Sequence, residues 1–184
     1  LNGSKTFITN GYQADLVIVA TRTDPTKGAK GITLFMVEDG MEGFTRGRKL
    51  DKVGQEESDT AELFFTDVRV PDENRIGPEG QGFIAMMQRL PQERVGAAAA
   101  NVAHAKQILL ETIEYAKERK AFGQAIGSFQ HNKFKLAEMV TAIEVAEAYV
   151  DDCIEAHAKG ELTAVDAAKA KWWSAQVQND VLDE

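Results

Sequence analysis

The chain has 184 residues, 43% of them hydrophobic, enough to bury a core as one domain or as two small ones. Its 29 acidic and 21 basic residues leave a formal net charge of -8. That balance excludes a general nucleic-acid binder and requires any anionic ligand to be met by local arginines and lysines. The single cysteine, Cys153, excludes an intrachain disulfide and, with three histidines, argues against a metal cage; no metal is expected and a reducing compartment fits.

The opening Leu1-Asn2-Gly3-Ser4-Lys5 reads as the edge of a strand and not as a signal peptide, and no stretch is apolar enough to span a bilayer. Strands are predicted at Asp15–Thr21, Gly31–Val37 and Thr60–Thr66, with Val68-Arg69-Val70 running into Pro71; all are short and rich in β-branched and aromatic residues. Asp24-Pro25-Thr26-Lys27-Gly28 and Glu38-Asp39-Gly40 carry turn chemistry, and Arg46-Gly47-Arg48-Lys49 reads as a solvated basic turn. After about Gly82 the period becomes helical. Helices are predicted over Phe83–Arg119, Phe129–Lys159 and from Thr163 onward, with a loop at Lys120–Ser128; Gly160 is a C-terminal cap, and Thr163 with Asp166 an N-terminal one. Strands followed by helices give an α+β fold: an all-β module, barrel- or sandwich-like, over 1–78, then an antiparallel helical bundle over 79–184. Both modules read as incomplete, because the chain opens inside a strand pattern and stops at Asp183-Glu184 inside a helical one.

Glu93 is the anomaly of the first helix. Its stripe holds Met86, Leu90, Gly96, Ala97 and Ala100, and an ionised carboxylate among apolar residues is costly unless paired. Two readings stay open: an ion pair with a neighbouring helix, or a general base whose proton affinity desolvation raises. Gly96 and the alanines leave room for a substrate, and Pro91 removes one backbone hydrogen bond and is expected to kink the helix beside Glu93.

Several strings, in order and at matching spacing, resemble one family. Leu1-Asn2-Gly3-Ser4-Lys5-Thr6-Phe7-Ile8-Thr9-Asn10-Gly11, the run Thr60 to Pro71, Gly80-Gln81-Gly82-Phe83, Glu118-Arg119-Lys120-Ala121-Phe122-Gly123-Gln124, Phe129-Gln130 and Lys135-Leu136-Ala137-Glu138-Met139 look like the acyl-CoA dehydrogenases. The two modules would then be that family's middle β domain and C-terminal helical domain. Leu90-Pro91-Gln92-Glu93-Arg94 is similar to the long-chain type, in which the glutamate that removes the α-proton sits on this helix.

The resemblance implies FAD as cofactor and α,β-dehydrogenation of a fatty acyl-CoA, with electrons passed to an electron-transfer flavoprotein. It implies that Glu93 is the base, and that Phe7, Ile8 and Thr9 lie against the flavin ring. Arg119 and Gln130 would contact FAD of a neighbouring subunit in a homotetramer, Arg119 offering phosphate a planar fork of donors. Pro91, Gln92 and Arg94 would hold substrate, with Ala29 and Lys30 as a weaker contact. Location would be cytoplasmic in a bacterium and the mitochondrial matrix in a eukaryote. Without the resemblance, Phe7 reads as a core aromatic by strand period and Arg119 as a solvated helix end.

Other candidates read as structural: His104 as a core or interface histidine, His131 and His157 as solvated, and one of Trp172 and Trp173 as packed between helices. The rival functions are an acyl-CoA oxidase or flavin monooxygenase of the same fold, and a non-catalytic fragment. The monooxygenase needs no α-proton base, which Glu93 argues against.

Overall fold

The computed structural model describes all 184 residues, which divide into two compact units, Leu1–Met86 and Met87–Glu184. The first unit contains β1 (Gly3–Thr9), β2 (Leu16–Arg22), β3 (Ile32–Glu38), β4 (Phe44–Lys49), β5 (Thr60–Phe65) and the two-residue β6 (Arg75–Ile76). They form two antiparallel three-stranded sheets, ordered β1-β5-β4 and β2-β3-β6. Alternation along β5 sends Leu63 and Phe65 inward and Phe64 outward, as a half-buried strand requires. The core is Val19, Val37, Phe44, Leu63, Phe65 and Val68, with the Phe44 and Phe65 rings stacked at 5.1 Å.

Two local readings of the sequence differ from this arrangement. Arg46–Lys49 is not a solvated turn but part of β4, the outer strand of its sheet, where charged residues guard an open edge. Val68–Val70 forms no strand; Val68 donates its N–H to Leu1 O at 3.1 Å and is buried, but no partner strand runs beside it.

Three helices dominate the rest: α1 (Gly82–Glu118), α2 (Gln130–Ala158) and α3 (Ala164–Asp183). Their buried positions recur at alternating three- and four-residue spacing, Val95, Ala98, Val102, Ala105 and Leu109 on α1 and Met139, Ile143, Ala146, Val150 and Cys153 on α2. Ala167, Ala170, Ser174, Val177 and Val181 continue the pattern on α3. That spacing is the seam of near-parallel helices packed knobs-into-holes, and the alanines let the helices approach closely. α1 continues through Pro91 as one helix. At the end of α2, Gly160 takes φ 75°, its N–H bonds His157 O at 3.0 Å, and the Glu161 N–H reaches Ala156 O at 2.8 Å, a Schellman closure. Thr163 caps α3 by accepting the Asp166 N–H at 3.0 Å.

The expected loop at Lys120–Ser128 instead holds a tight hairpin of β7 (Lys120–Ala121) and β8 (Gln124–Ala125). Its two-residue tip, Phe122 and Gly123, has φ of 52° and 82°, the handedness that matches the twist of the flanking strands. Trp172 is exposed, whereas Trp173 is 40% exposed and borders the groove between α2 and α3 with Met139, Ala142 and Val177; the two rings meet each other at 6.0 Å. No helix is long and apolar enough to cross a membrane.

Candidate functional site

The expected site residues fall on three segments and on the turn between β2 and β3. The first is the end of β1. Phe7 does not enter the core: it is 77% exposed and sits at φ 58°, a left-handed conformation uncommon for an aromatic residue. The cause is a register shift between Lys5 and Ile8 in the pairing with β5, which breaks strict alternation and turns Phe7 outward. Ile8 is half-buried, and Thr9, opposite Thr60, is exposed. One segment therefore presents an aromatic face and a hydroxyl to solvent.

The turn behind this segment is fastened from two sides. The Tyr12 N–H donates to Asp59 Oδ1 at 2.8 Å and the Asn10 N–H to Asp59 O at 2.9 Å; Asp59 is only 2% exposed. Arg46 donates from Nε to Gly11 O at 3.0 Å and from its terminal nitrogens to Ala14 O and Asp39. That hydrogen bond holds the Asp39 carboxyl below its usual range. Arg46 is thus committed within its own unit. Neither it nor Asp59 stood out in the sequence, where one sits in a basic run and the other in a polar turn.

Between β2 and β3, Ala29 and Lys30 are exposed on a 3-10 turn spanning Gly28–Gly31. A side chain at Gly31 would place its Cβ 1.9 Å from Asp24 O, so glycine is what lets this turn close against the preceding loop.

The second segment is on α1. The Met86, Leu90, Glu93, Ala97, Ala100 stripe also has three- and four-residue spacing, but its centre lies roughly 140° round the helix from that of the Val95 seam at about 100° per residue. Glu93, Gly96, Ala97 and Ala100 are all exposed, Pro91 and Arg94 are half-buried, and Gln92 is exposed. Neither Glu93 nor Arg94 forms a salt bridge, so the ion-pair reading of Glu93 finds no partner in this chain. Nothing lies within 4 Å of a Cβ built on Gly96. The carboxylate therefore stands on an open helix face floored by small residues. Eleven positions on, His104 is an interface residue of α1 and α3, its Nδ1 hydrogen-bonded with Gln178.

The third segment follows α1. The Arg119 carbonyl accepts the Ile126 N–H at 2.8 Å and the Ile126 carbonyl accepts the Phe129 N–H at 3.2 Å. This backbone chain ties Arg119 to the start of α2, where Gln130 is the first residue. Both side chains are exposed, and Arg119 forms no salt bridge. Phe122 at the hairpin tip, 97% exposed, is a feature the sequence reading passed over; an aromatic at a left-handed hairpin tip is its signal.

Known proteins resemble the chain along its whole length. Residues 80–184 match the acyl-CoA dehydrogenase C-terminal domain and residues 1–68 the middle domain. The long-chain specific acyl-CoA dehydrogenase of Mus musculus mitochondria is 47% identical over 186 residues, covering 100% of this chain and 43% of that protein. The short-chain specific acyl-CoA dehydrogenase of Megasphaera elsdenii is 46% identical over 184 residues, again 100% of this chain and 48% of that protein. A crystal structure of an acyl-CoA dehydrogenase from Geobacillus kaustophilus superposes with a TM-score of 0.97 at 46% identity, over 99% of this chain and 48% of the other. The chain spans less than half the length of these relatives. Strand-rich first unit, three-helix second unit and matching order of segments together place the chain in the acyl-CoA dehydrogenase family.

Proposed function

We propose that the full-length protein carrying this chain is an FAD-dependent dehydrogenase of fatty acyl-CoA thioesters, acting between the α and β carbons. The observation that supports it best is Glu93: an unpaired carboxylate on an open helix face, with Gly96, Ala97 and Ala100 beside it. A base for a C–H proton needs that combination of access and freedom from a competing cation. In this reading Glu93 takes the α-proton, and an acyl chain lying along the small residues excludes water from the carboxylate. Pro91, Gln92 and Arg94 border the thioester end, and Ala29 and Lys30 meet the CoA portion.

The residues present fit FAD. Phe7, Ile8 and Thr9 offer an exposed aromatic face, an apolar contact and a hydroxyl in one segment; Arg119 and Gln130 offer a free guanidinium and an amide tied together by backbone. When bound, FAD supplies the acceptor for the hydride leaving the β carbon. Arg119 and Gln130 serve the cofactor of a neighbouring subunit in a homotetramer, and an electron-transfer flavoprotein removes the electrons.

The test is full-length Glu93→Gln mixed anaerobically with acyl-CoA. The amide keeps the shape and removes the basicity, so the variant should retain FAD and bind substrate while flavin bleaching slows on the order of a hundred- to ten-thousand-fold. Bleaching within about tenfold of the unaltered enzyme would overturn the assignment.

A further inference from the structure

We propose that Asp59, with Arg46 opposite it, is a positioning residue for the flavin-contacting segment Phe7–Thr9. The inference rests on that segment's role in the proposed function and goes beyond it by naming what holds the segment in place.

Three observations converge. Phe7 is held in a left-handed conformation, on the exposed side of an irregular pairing between Lys5 and Ile8. Such a conformation persists in a non-glycine residue only where the surroundings over-determine it. Immediately beyond Thr9 the chain turns, and four backbone groups of the turn are held by just two residues, Asp59 and Arg46. On the donor side, the Asn10 and Tyr12 N–H groups both go to Asp59, through its carbonyl and its carboxylate. On the acceptor side, the carbonyls of Gly11 and Ala14 both go to the Arg46 guanidinium. The Gly11 N–H closes back on Ile8 O at 3.1 Å, so the clamped turn is bonded directly to the segment it follows.

Asp59 also stands next to Thr60, which is opposite Thr9 in the β1–β5 register. The carboxylate is buried and the residue anchors two backbone donors, so it is a poor candidate for a solvated surface acid. Its neighbour in function, Arg46, lies over the Phe44 ring at 5.3 Å and is kept on the turn from below. The pair fixes the backbone that directly follows Phe7 and Thr9, which is what presenting that segment to a planar ring at fixed distance requires.

The experiment uses the full-length protein as Asp59→Ala, Asp59→Asn and Arg46→Lys. Asn keeps an acceptor for the Tyr12 N–H, Ala does not, and Lys keeps the charge of Arg46 but cannot hold two carbonyls and a carboxylate in one fork. Amide hydrogen exchange of the cofactor-free proteins reads the clamp itself. The Tyr12 amide should lose protection in Asp59→Ala and keep it in Asp59→Asn, while the Asn10 amide, bonded to the Asp59 backbone carbonyl, and the β2–β3 amides stay protected in all three.

In the FAD-loaded proteins, Asp59→Ala and Arg46→Lys should show a shifted flavin absorption band. Their maximal rate of flavin reduction should fall about ten- to a hundredfold, with the half-saturating acyl-CoA concentration unchanged. Asp59→Asn should stay within about threefold of the unaltered enzyme. An unchanged flavin band and rate in Asp59→Ala and Arg46→Lys would overturn the proposal while leaving the proposed function standing. An unaltered full-length protein that holds no flavin would overturn both. Should Asp59→Ala not fold, Arg46→Lys decides: the band shift and rate loss support the clamp, and their absence removes it.

Discussion

The β unit and the helical unit keep their shapes by opposite means. In the helical unit one rule repeats: seam residues at three- and four-residue spacing, a Schellman closure at Gly160 and a cap at Thr163. In the β unit the order rests on exceptions, namely a register shift in β1, a left-handed Phe7 and a turn bonded to Asp59 and Arg46. Regular packing tolerates small local losses, because each seam position does the same thing as its neighbours. A clamp of single hydrogen bonds does not, because each partner is used once.

The sharpest attempt to break this contrast is made in the cores, by truncating Leu63. It is fully buried at the centre of β5, in a cluster of only six buried residues. Leu63→Ala should destabilise the full-length protein by about 2–5 kcal/mol in urea denaturation. Val177→Ala, one of many seam positions, should cost clearly less; the reverse order would mean that the helical core is the more fragile one.

A smaller effect is expected at the helix cap. Thr163→Ala removes the acceptor for the Asp166 N–H and should cost about 0.5–2 kcal/mol at pH 7. Lys169, then Thr163, hold the Asp166 carboxyl below its usual range. A depressed carboxyl contributes stability above its unfolded value of about 4 and loses it as pH falls through the folded value. The cost of Thr163→Ala should therefore shrink in denaturation at pH 3. A cost independent of pH would assign the cap to the backbone bond alone.

The smallest effect has the opposite sign. Phe7→Gly relieves the left-handed conformation, so the thermal midpoint should hold or rise, by up to about 1 kcal/mol in stability. FAD retention through gel filtration should fall, because the exposed ring is gone. A variant that loses both stability and flavin would show that Phe7 packs rather than presents.

How much could be read in advance follows the same division. The ends of α2 and α3 were legible to within a residue or two, since Gly160 and Thr163 carry their own backbone chemistry. β4 was not, because Arg46-Gly47-Arg48-Lys49 shows no apolar alternation; an edge strand needs little of it. Phe7 was placed in the core because period-two reasoning assumes an unbroken register, and nothing in Lys5-Thr6-Phe7-Ile8 announces the shift. On α1 two stripes share one spacing, and the sequence does not say which of them this chain covers. Glu93 could thus be singled out as an anomaly, while its exposure could be known only once the Val95 seam was seen to take the packing. Asp59 escaped because a buried carboxylate and a turn aspartate are written with the same letter.

The pairing of β1 with β5 also sets a timetable. Gly3 meets Phe65 and Thr9 meets Thr60, whereas β2 and β3 meet across one short connection. On a ribosome delivering about 5–20 residues per second, β1 emerges roughly 50 residues, hence some 3–10 s, before its partner strand exists. During that interval the β2–β3 hairpin, which forms in microseconds, has long been complete. The segment carrying Phe7 and Thr9 waits for β5 longer than β4 does, so the stretch proposed to touch the cofactor belongs to the strand of this sheet that is made longest before β5.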